Sequence, residues 1–235
     1  VRTVLIASGG GTDADSIMRV WEKGCIPEAE IVALISTKNG AKCLERATVY
    51  NVKSFVVDYA DYKKQIDIGE YRRCFEGAVA NYLDKLKAEL VFLVGCIHRI
   101  PTIDGADMYN IHPADIHKHG GEEMYGLKVH EHVLKEIEDA ILRGKKKDSD
   151  AFFTYPTIHR AVEEYDAGDI LLQGAVKIPA EIIKGFMDPV GSMDGELSLK
   201  EAAEALQKVV LPYEWIMLPA AVRMAARRIL ERKGG

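Results

Sequence analysis

The chain has 235 residues, enough to bury a substantial core in one large domain or two closely packed lobes. Apolar residues make up 48% and charged residues 29%, which is ordinary globular composition. With 31 basic against 36 acidic residues the net charge is −5, which disfavours a sequence-independent grip on nucleic acid but leaves room for a local basic pocket around one phosphate.

The four cysteines, Cys25, Cys43, Cys74 and Cys96, are far apart and form no C-x-x-C pair, as expected of reduced thiols in a cytosolic protein. The chain opens on a strand-like run, Val1 to Ser8, without the basic and apolar regions of a signal peptide. No apolar stretch approaches the ~18–20 residues that span a bilayer. The expectation is a cytoplasmic, soluble protein.

In chain order, Val4-Leu5-Ile6-Ala7 reads as a buried strand, followed by a glycine-rich turn and a helix from Asp13 to Lys23. Ile31 to Ile35 reads as a strand, Ala41 to Tyr50 as a helix, and Ser54 to Val57 as a short strand. Tyr71 to Lys87 carries the apolar stripe Phe75, Val79, Tyr82, Leu83 and Leu86 of an amphipathic helix. Leu90 to Val94 is the next strand. Continuous apolar runs alternating with helices predict an α/β protein with a parallel sheet covered on both faces.

After Gly95 the pattern changes. Asp107 to Ile111 reads as a short strand ending in His112-Pro113, and a polar loop leads to a helix from about Tyr125 to Leu142. Lys145 to Asp150 is an exposed turn. Ala151 to Val162 and Asp169 to Ile178 read as two extended strands, and Gly185 to Gly195 as a loop. Leu197 to Lys233 reads as helical, broken near Pro212 and Pro219.

Three segments hold residue types suited to chemistry. Ser8-Gly9-Gly10-Gly11-Thr12-Asp13 lies between a strand and a helix, where backbone N–H groups and the helix dipole favour a phosphate. It lacks the Gly-Lys-Ser/Thr of a P-loop, and the next strand ends in Ser36-Thr37 without an acid for a ribose. A mononucleotide or sugar phosphate therefore fits better than a dinucleotide, and a tight turn needing glycine for steric reasons is the alternative. In Asn110-Ile111-His112-Pro113, strand alternation puts Asn110 and His112 on one side. An amide donor beside an imidazole can stabilise a developing oxyanion and carry protons, although a strand-end histidine is often structural. The further histidines His117, His119, His130 and His132 raise a metal site, but their spacing matches no standard zinc pattern. Third, Asp166 in the turn before Gly168 is either turn chemistry or, if it reaches His112, a group that orients the imidazole and raises its pKa.

Taken in order, these segments resemble the phosphoribosylglycinamide formyltransferase family of purine biosynthesis. The resemblance runs from Val4 to about Ile178 and thins towards the C-terminus. It rests on Leu5 to Thr12, Ile35-Ser36-Thr37-Lys38 with Leu44 to Ala47, Leu93-Val94-Gly95, Asn110 to Pro113, Gly120-Gly121 with Met124-Tyr125-Gly126 and Val129-His130-Glu131, and His159 to Gln173. Each piece is weak alone; the set in this order is specific.

The resemblance implies a single formyltransferase domain over 1–235, with a Rossmann-like, phosphate- and substrate-binding half (1–105) and a catalytic, folate-binding half (106–235). The implied fold is α/β, a mostly parallel sheet with helices on both faces and a long C-terminal helix. The implied reaction moves the formyl group of 10-formyltetrahydrofolate, as co-substrate and without a metal, to the amine of glycinamide ribonucleotide. Asn110, His112 and Asp166 fall on the family's catalytic trio, and Gly10, Gly11, Thr12 and Asp13 on its substrate-phosphate loop. Arg72 and Glu214 fall on further substrate contacts. Cys96, Ile97, His98, Arg99 and Ile100, with Val162, Glu163, Glu164 and Tyr165, fall on the folate site. The expected partners are these small molecules, with neither nucleic acid nor membrane; a homodimer is compatible with them.

The chain departs from the family pattern at several points. Asp13 stands where Asn is usual, Trp215 where His is usual, and Asp169 where Pro is usual; His98 is extra, and residues 181–197 are longer than the norm. A carboxylate beside a phosphate is unfavourable unless it points away or caps the helix. The alternatives are a formyltransferase for another amine, a 10-formyltetrahydrofolate hydrolase and, more distantly, a metal-dependent hydrolase or a non-catalytic nucleotide-binding module. Methionyl-tRNA formylation is disfavoured by the acidic balance.

Overall fold

The computed structural model describes residues 1–65, 70–147, 149–187 and 197–234. The first part of the chain alternates as β1 (Arg2–Ala7), α1 (Thr12–Glu22), β2 (Glu30–Ser36), α2 (Lys42–Val49), β3 (Ser54–Val56), α3 (Tyr59–Gln65), α4 (Tyr71–Lys85) and β4 (Leu90–Leu93). Then come β5 (Asp107–His112), the one-turn α5 (Ile116–His119) and α6 (Leu127–Leu142). Four short strands follow, β6 (Phe153–Thr154), β7 (Thr157–Arg160), β8 (Ile170–Gln173) and β9 (Val176–Lys177), and the chain ends in α7 (Ala180–Met187) and α8 (Leu199–Gly234).

The central sheet has seven strands in the order β3-β2-β1-β4-β5-β7-β8. β3 to β5 run parallel, and β7 and β8 add antiparallel at one edge. The expected α/β sheet, mostly parallel and flanked by helices, is the fold observed. Strand alternation divides each central strand between two cores. Leu5 and Ala7 of β1 face Ala14, Ile17 and Met18 of α1 and Leu218, Val222 and Ala225 of α8. Val4 and Ile6 face the other way, onto Phe75, Val79 and Leu83 of α4. Burying each such large apolar side chain contributes roughly 1.5–3 kcal/mol. A third core lies beside the sheet, where Val129, Val133 and Leu134 of α6 meet Ile182 and Ile183 of α7 and Leu206 and Val210 of α8.

The chain order reverses at β1, whose neighbours β2 and β4 come from the two arms of the winding. The segments leaving the carboxyl ends of β1 and β4 stay joined, the Ser8 N–H donating to the Gly95 carbonyl and the Ile97 N–H to Ser8 Oγ.

Three expectations are corrected. The strands expected over 151–162 and 169–178 are each divided, giving a β7–β8 pair in the main sheet and a separate β6–β9 pair. The break falls at Pro156, which has no N–H for a ladder, and at Gly174, whose N–H donates to the Pro156 carbonyl. The C-terminal helix is not broken: α8 runs through both Pro212 and Pro219. Packing on α1, α6 and the sheet holds it, together with ion pairs from Arg223 and Arg227 to Glu28 and from Arg232 to Asp107. Helix α8 is also long and apolar enough, by length and composition, for a membrane span, but half of that stretch is buried inside the protein. Of the loop expected over 185–195, residues 185–187 belong to α7; residues 188–196, and Asp148 of the expected 145–150 turn, lie outside the described residues.

Pro212 is exposed on α8, so Pro212→Ala restores an N–H facing the Lys208 carbonyl and removes no packing. We expect it to stabilise the protein by about 1–3 kcal/mol, seen as a higher urea midpoint at unchanged slope. A lower midpoint would mean that the proline is required by the fold.

Candidate active site

A cavity of about 360 Å³ opens at the carboxyl ends of β4 and β5. Its walls come from the Gly95–Ile100 segment, the end of β5, the turn before α6, the turn after β7 and the middle of α8. Asn110, His112 and Asp166, distant in sequence, all line it.

Asp166 is the joint between these elements. Its Oδ2 lies 3.5 Å from His112 Nδ1, its Oδ1 3.3 Å from His159 Nε2, and the Gly121 N–H donates to Oδ2 at 3.0 Å. Asp166 adopts φ +51°, a left-handed conformation that costs a non-glycine residue roughly 1 kcal/mol. The loop over it must come close, since a Cβ on Gly120 would sit 2.9 Å from Asp166 Cβ and 2.4 Å from the Ile116 carbonyl. Burial works against the Asp166 carboxylate, but the His159 hydrogen bond, the His112 charge and the Gly121 N–H together hold its pKa below the ordinary value.

His112 is buried, and its Nε2 donates to the His119 carbonyl at 2.8 Å, leaving Nδ1 to face Asp166. Burial lowers its pKa despite Asp166, which favours the neutral imidazole. Asn110 Nδ2 lies 3.4 Å from His159 Nε2, beside the same carboxylate.

Two histidines complete the group: in the sequence His130 reads only as a candidate metal ligand and, like His159, as part of the family-like segments, and neither is expected in the cavity. His159 is fixed by Nδ1–H donation to the Arg160 carbonyl at 3.0 Å. His130 lines the cavity from α6 with Nδ1 lacking any hydrogen-bond partner, and burial, reinforced by His112, lowers it to about 4. Its signal was the stripe His130, Val133, Leu134, Ile137, where a histidine occupies an apolar position. Among the described residues no group of three or more His, Cys, Asp or Glu side chains is placed to hold a metal ion.

Cys96, Ile97, His98, Arg99 and Ile100 line one side of the cavity, and Val162, Glu163, Glu164 and Tyr165 another. His98 stacks on Tyr59 at 4.0 Å between ring centroids, which fixes this lip to α3. Arg72 is not among the lining residues; it is exposed on α4, beside the hydroxyls of Tyr71 and Tyr59.

The glycine loop divides. Gly11 caps α1 at φ +69°, and a Cβ there would lie 2.4 Å from Cys43 Cβ, so only glycine fits. Cys43 N–H and Arg46 Nε donate to the Gly9 and Gly10 carbonyls, and no side chain caps the start of α1. Gly10, Gly11 and Thr12 stand outside the cavity lining, whereas Asp13 enters it. Glu214 of α8 lines the same cavity. Burial raises the Asp13 carboxyl to about 6, and burial plus the Asp13 charge raises Glu214 well above the ordinary range.

The formyl transferase family model matches residues 1–185. The chain belongs to the formyl transferase family. A relative from Arabidopsis thaliana named phosphoribosylglycinamide formyltransferase, chloroplastic, is 28% identical over 183 residues, covering 76% of this chain and 56% of its own length. The chain thus spans about half the length of that plant relative. A solved glycinamide ribonucleotide transformylase 1 from Symbiobacterium toebii shares the fold at TM-score 0.67 and 23% identity, over 97% of this chain and 88% of that one. A phosphoribosylglycinamide formyltransferase from Brucella melitensis is similar at TM-score 0.62 and 26% identity, over 96% and 95%. The family match ends before α8, so Glu214 and Trp215 lie outside it.

The carboxylates predict opposite pH signatures. Asp166, with a depressed pKa, contributes stability above the ordinary carboxylate range that is lost as pH falls through its folded value. Asp13, raised from 3.8 to about 6, costs stability as pH rises through that interval. Asp13→Asn should therefore stabilise at pH 8 by on the order of 2 kcal/mol relative to its effect at pH 4. Asp166→Asn should destabilise at pH 7, by an amount that shrinks in acid. Urea titrations across this range check both signs.

Proposed function

We propose that the protein transfers the formyl group of 10-formyltetrahydrofolate to the amine of glycinamide ribonucleotide. What supports this reading is the meeting of Asn110, His112 and Asp166 in one cavity, on a chain of the formyl transferase family whose relatives carry that name. The folate lies between the Cys96–Ile100 segment and the Val162–Tyr165 turn. The ribonucleotide lies across the opposite end, with Glu214 on its sugar side and its phosphate at the start of α1, met by N–H groups of Gly10, Gly11 and Thr12. The first half of the chain, 1–105, binds the substrate phosphate, and the second, 106–235, carries the chemistry.

The neutral amine attacks the formyl carbon, and the carbonyl oxygen becomes an oxyanion. Asn110 donates its amide N–H to that oxygen. His112 takes up a proton at Nδ1 as the amine nitrogen becomes cationic, and Asp166 supports the resulting imidazolium. The proton then passes to the folate nitrogen as its bond to the formyl carbon breaks. Loss of one oxyanion donor typically costs roughly 3–4 kcal/mol of transition-state stabilisation.

The decisive assay mixes the protein with 10-formyltetrahydrofolate, with and without glycinamide ribonucleotide, and follows folate release and product mass together. We expect release that depends on the amine, with kcat lowered about 10²–10³-fold in Asn110→Ala and His112→Ala and KM for the ribonucleotide little changed. Release without the amine would replace this reading by a hydrolase.

A further inference from the structure

The mechanism above delivers a proton to His112 Nδ1, so that nitrogen must be bare when the amine attacks. A neutral imidazole carries its one proton on either nitrogen. The Asp166 carboxylate, facing Nδ1, favours the unproductive choice, since Nδ1–H would point at its Oδ2. What opposes that tautomer is the His119 carbonyl, 2.8 Å from His112 Nε2. A carbonyl oxygen only accepts, so this hydrogen bond exists only with the proton on Nε2. At 3.5 Å, Nδ1 and Asp166 keep the longer spacing of a charge contact.

The His119 carbonyl belongs to a segment with little hold of its own. α5 is a single turn of four residues, capped where the His117 N–H donates to the Asp115 side chain at 3.0 Å. Two residues beyond His119, the Gly121 N–H donates to Asp166 Oδ2 at 3.0 Å. Residues 119–121 therefore touch both members of the His112–Asp166 pair. A shift of this segment by about 1 Å would break both hydrogen bonds.

The His119 side chain is turned onto α6, and only 7% of the residue is exposed. Its Nε2 lies 3.2 Å from Glu136 Oε2 and its Nδ1 3.0 Å from His132 Nδ1, with the two imidazoles edge to face. His132 and Glu136 are one helical turn apart, on the same face of α6. Burial lowers the His119 pKa despite Glu136, which favours its neutral ring. The proton arrangement follows from the acceptors. Glu136 as carboxylate takes the His119 Nε2–H, which leaves His119 Nδ1 bare to accept from His132 Nδ1–H. None of these three side chains lines the catalytic cavity, and formyl transfer gives them no part.

We infer that His119, His132 and Glu136 are positioning residues that hold the His119 carbonyl against His112 Nε2 and so keep the neutral imidazole in the tautomer whose Nδ1 can take a proton. The inference rests on the reading of His112 as the proton acceptor in formyl transfer. The three residues act through the backbone of residue 119 and touch no reacting atom.

Nuclear magnetic resonance of the full chain with 15N-labelled histidine reads the tautomer, because bare and protonated ring nitrogens differ widely in shift. Recorded near pH 7 without substrate, it is independent of turnover, and the His112 signals are assigned by their loss in His112→Ala. For the wild type we expect His112 protonated on Nε2 and bare on Nδ1, and His132 protonated on Nδ1. His132→Ala, at an exposed position, should move a measurable share of His112 to the Nδ1–H form. Its kcat should fall about fivefold to tenfold, the equivalent of one neutral hydrogen bond, at unchanged KM for glycinamide ribonucleotide. Glu136→Ala removes a half-exposed carboxylate and should do the same by about twofold to threefold. Glu136→Gln keeps an acceptor oxygen for His119 Nε2–H and should restore the wild-type tautomer and rate. His119→Phe keeps a ring without nitrogens and should shift the tautomer most. The inference is overturned if His112 keeps the Nε2–H form in every variant, whatever happens to the urea midpoint, or if the wild type already carries its proton on Nδ1. A tautomer that shifts as expected in a protein that transfers no formyl group would sustain the positioning and remove the formyl-transfer reading alone.

Discussion

The contact between the Asp166 carboxylate and the two imidazoles of His112 and His159 is the constraint around which the cavity end of the protein is arranged. β5 and β7 pair antiparallel with Asn110 opposite His159 and His112 opposite Thr157, so the sheet presents its polar side chains together. Neither strand supplies the carboxylate. It comes from the turn after β7, in a left-handed backbone conformation that only surrounding contacts can maintain, and the Gly120–Gly121 loop closes over it. Strain of this kind persists where several elements over-determine a residue, and here β5, β7 and the Gly120–Gly121 loop do so. The arrangement keeps His112 neutral at rest, with a negative partner already aligned for the charge that a tetrahedral intermediate would call up.

Helix α8 is the second organising element. Its first half packs in the core shared with α6 and α7, and its second half packs on the sheet and α1. Glu214 falls at the junction, on the buried stripe between Val210 and Met217. A carboxyl at such a position is expensive to desolvate, and another carboxyl, Asp13, lines the same cavity and raises it further. The two prolines are tolerated because packing on both sides supplies far more than the helix hydrogen bonds they remove. The same continuity explains why a helix apolar enough for a bilayer stands inside the protein instead: its apolar residues belong to two cores in succession.

Much of this was legible beforehand because it depends on local periodicity. The run Val4 to Ala7, apolar on both sides, could only be a strand covered on both faces, and the stripe Phe75, Val79, Leu83 could only be the inner face of a helix. Asn110 and His112 were readable as a same-face pair, since strand alternation is a property of the backbone. His159 and His130 were not, because a histidine in a strand or on a helical stripe has the same local appearance whether it fills space or faces a cavity. The split of the two late strands at Pro156 and Gly174 and the unbroken course of α8 were likewise hidden, since in each case a tertiary contact outweighed the local rule.

The sequence by itself determined most of the strand and helix order and the family to which the chain belongs, because each is carried by residue type and spacing. Only the tertiary structure decided that Asp166 reaches His112, that Arg72 stays out of the cavity lining, and that Asp13 and Glu214 face one cavity. Those outcomes depend on which elements, distant in the chain, meet in the fold, and on the charge each buried group then feels. No local pattern encodes that.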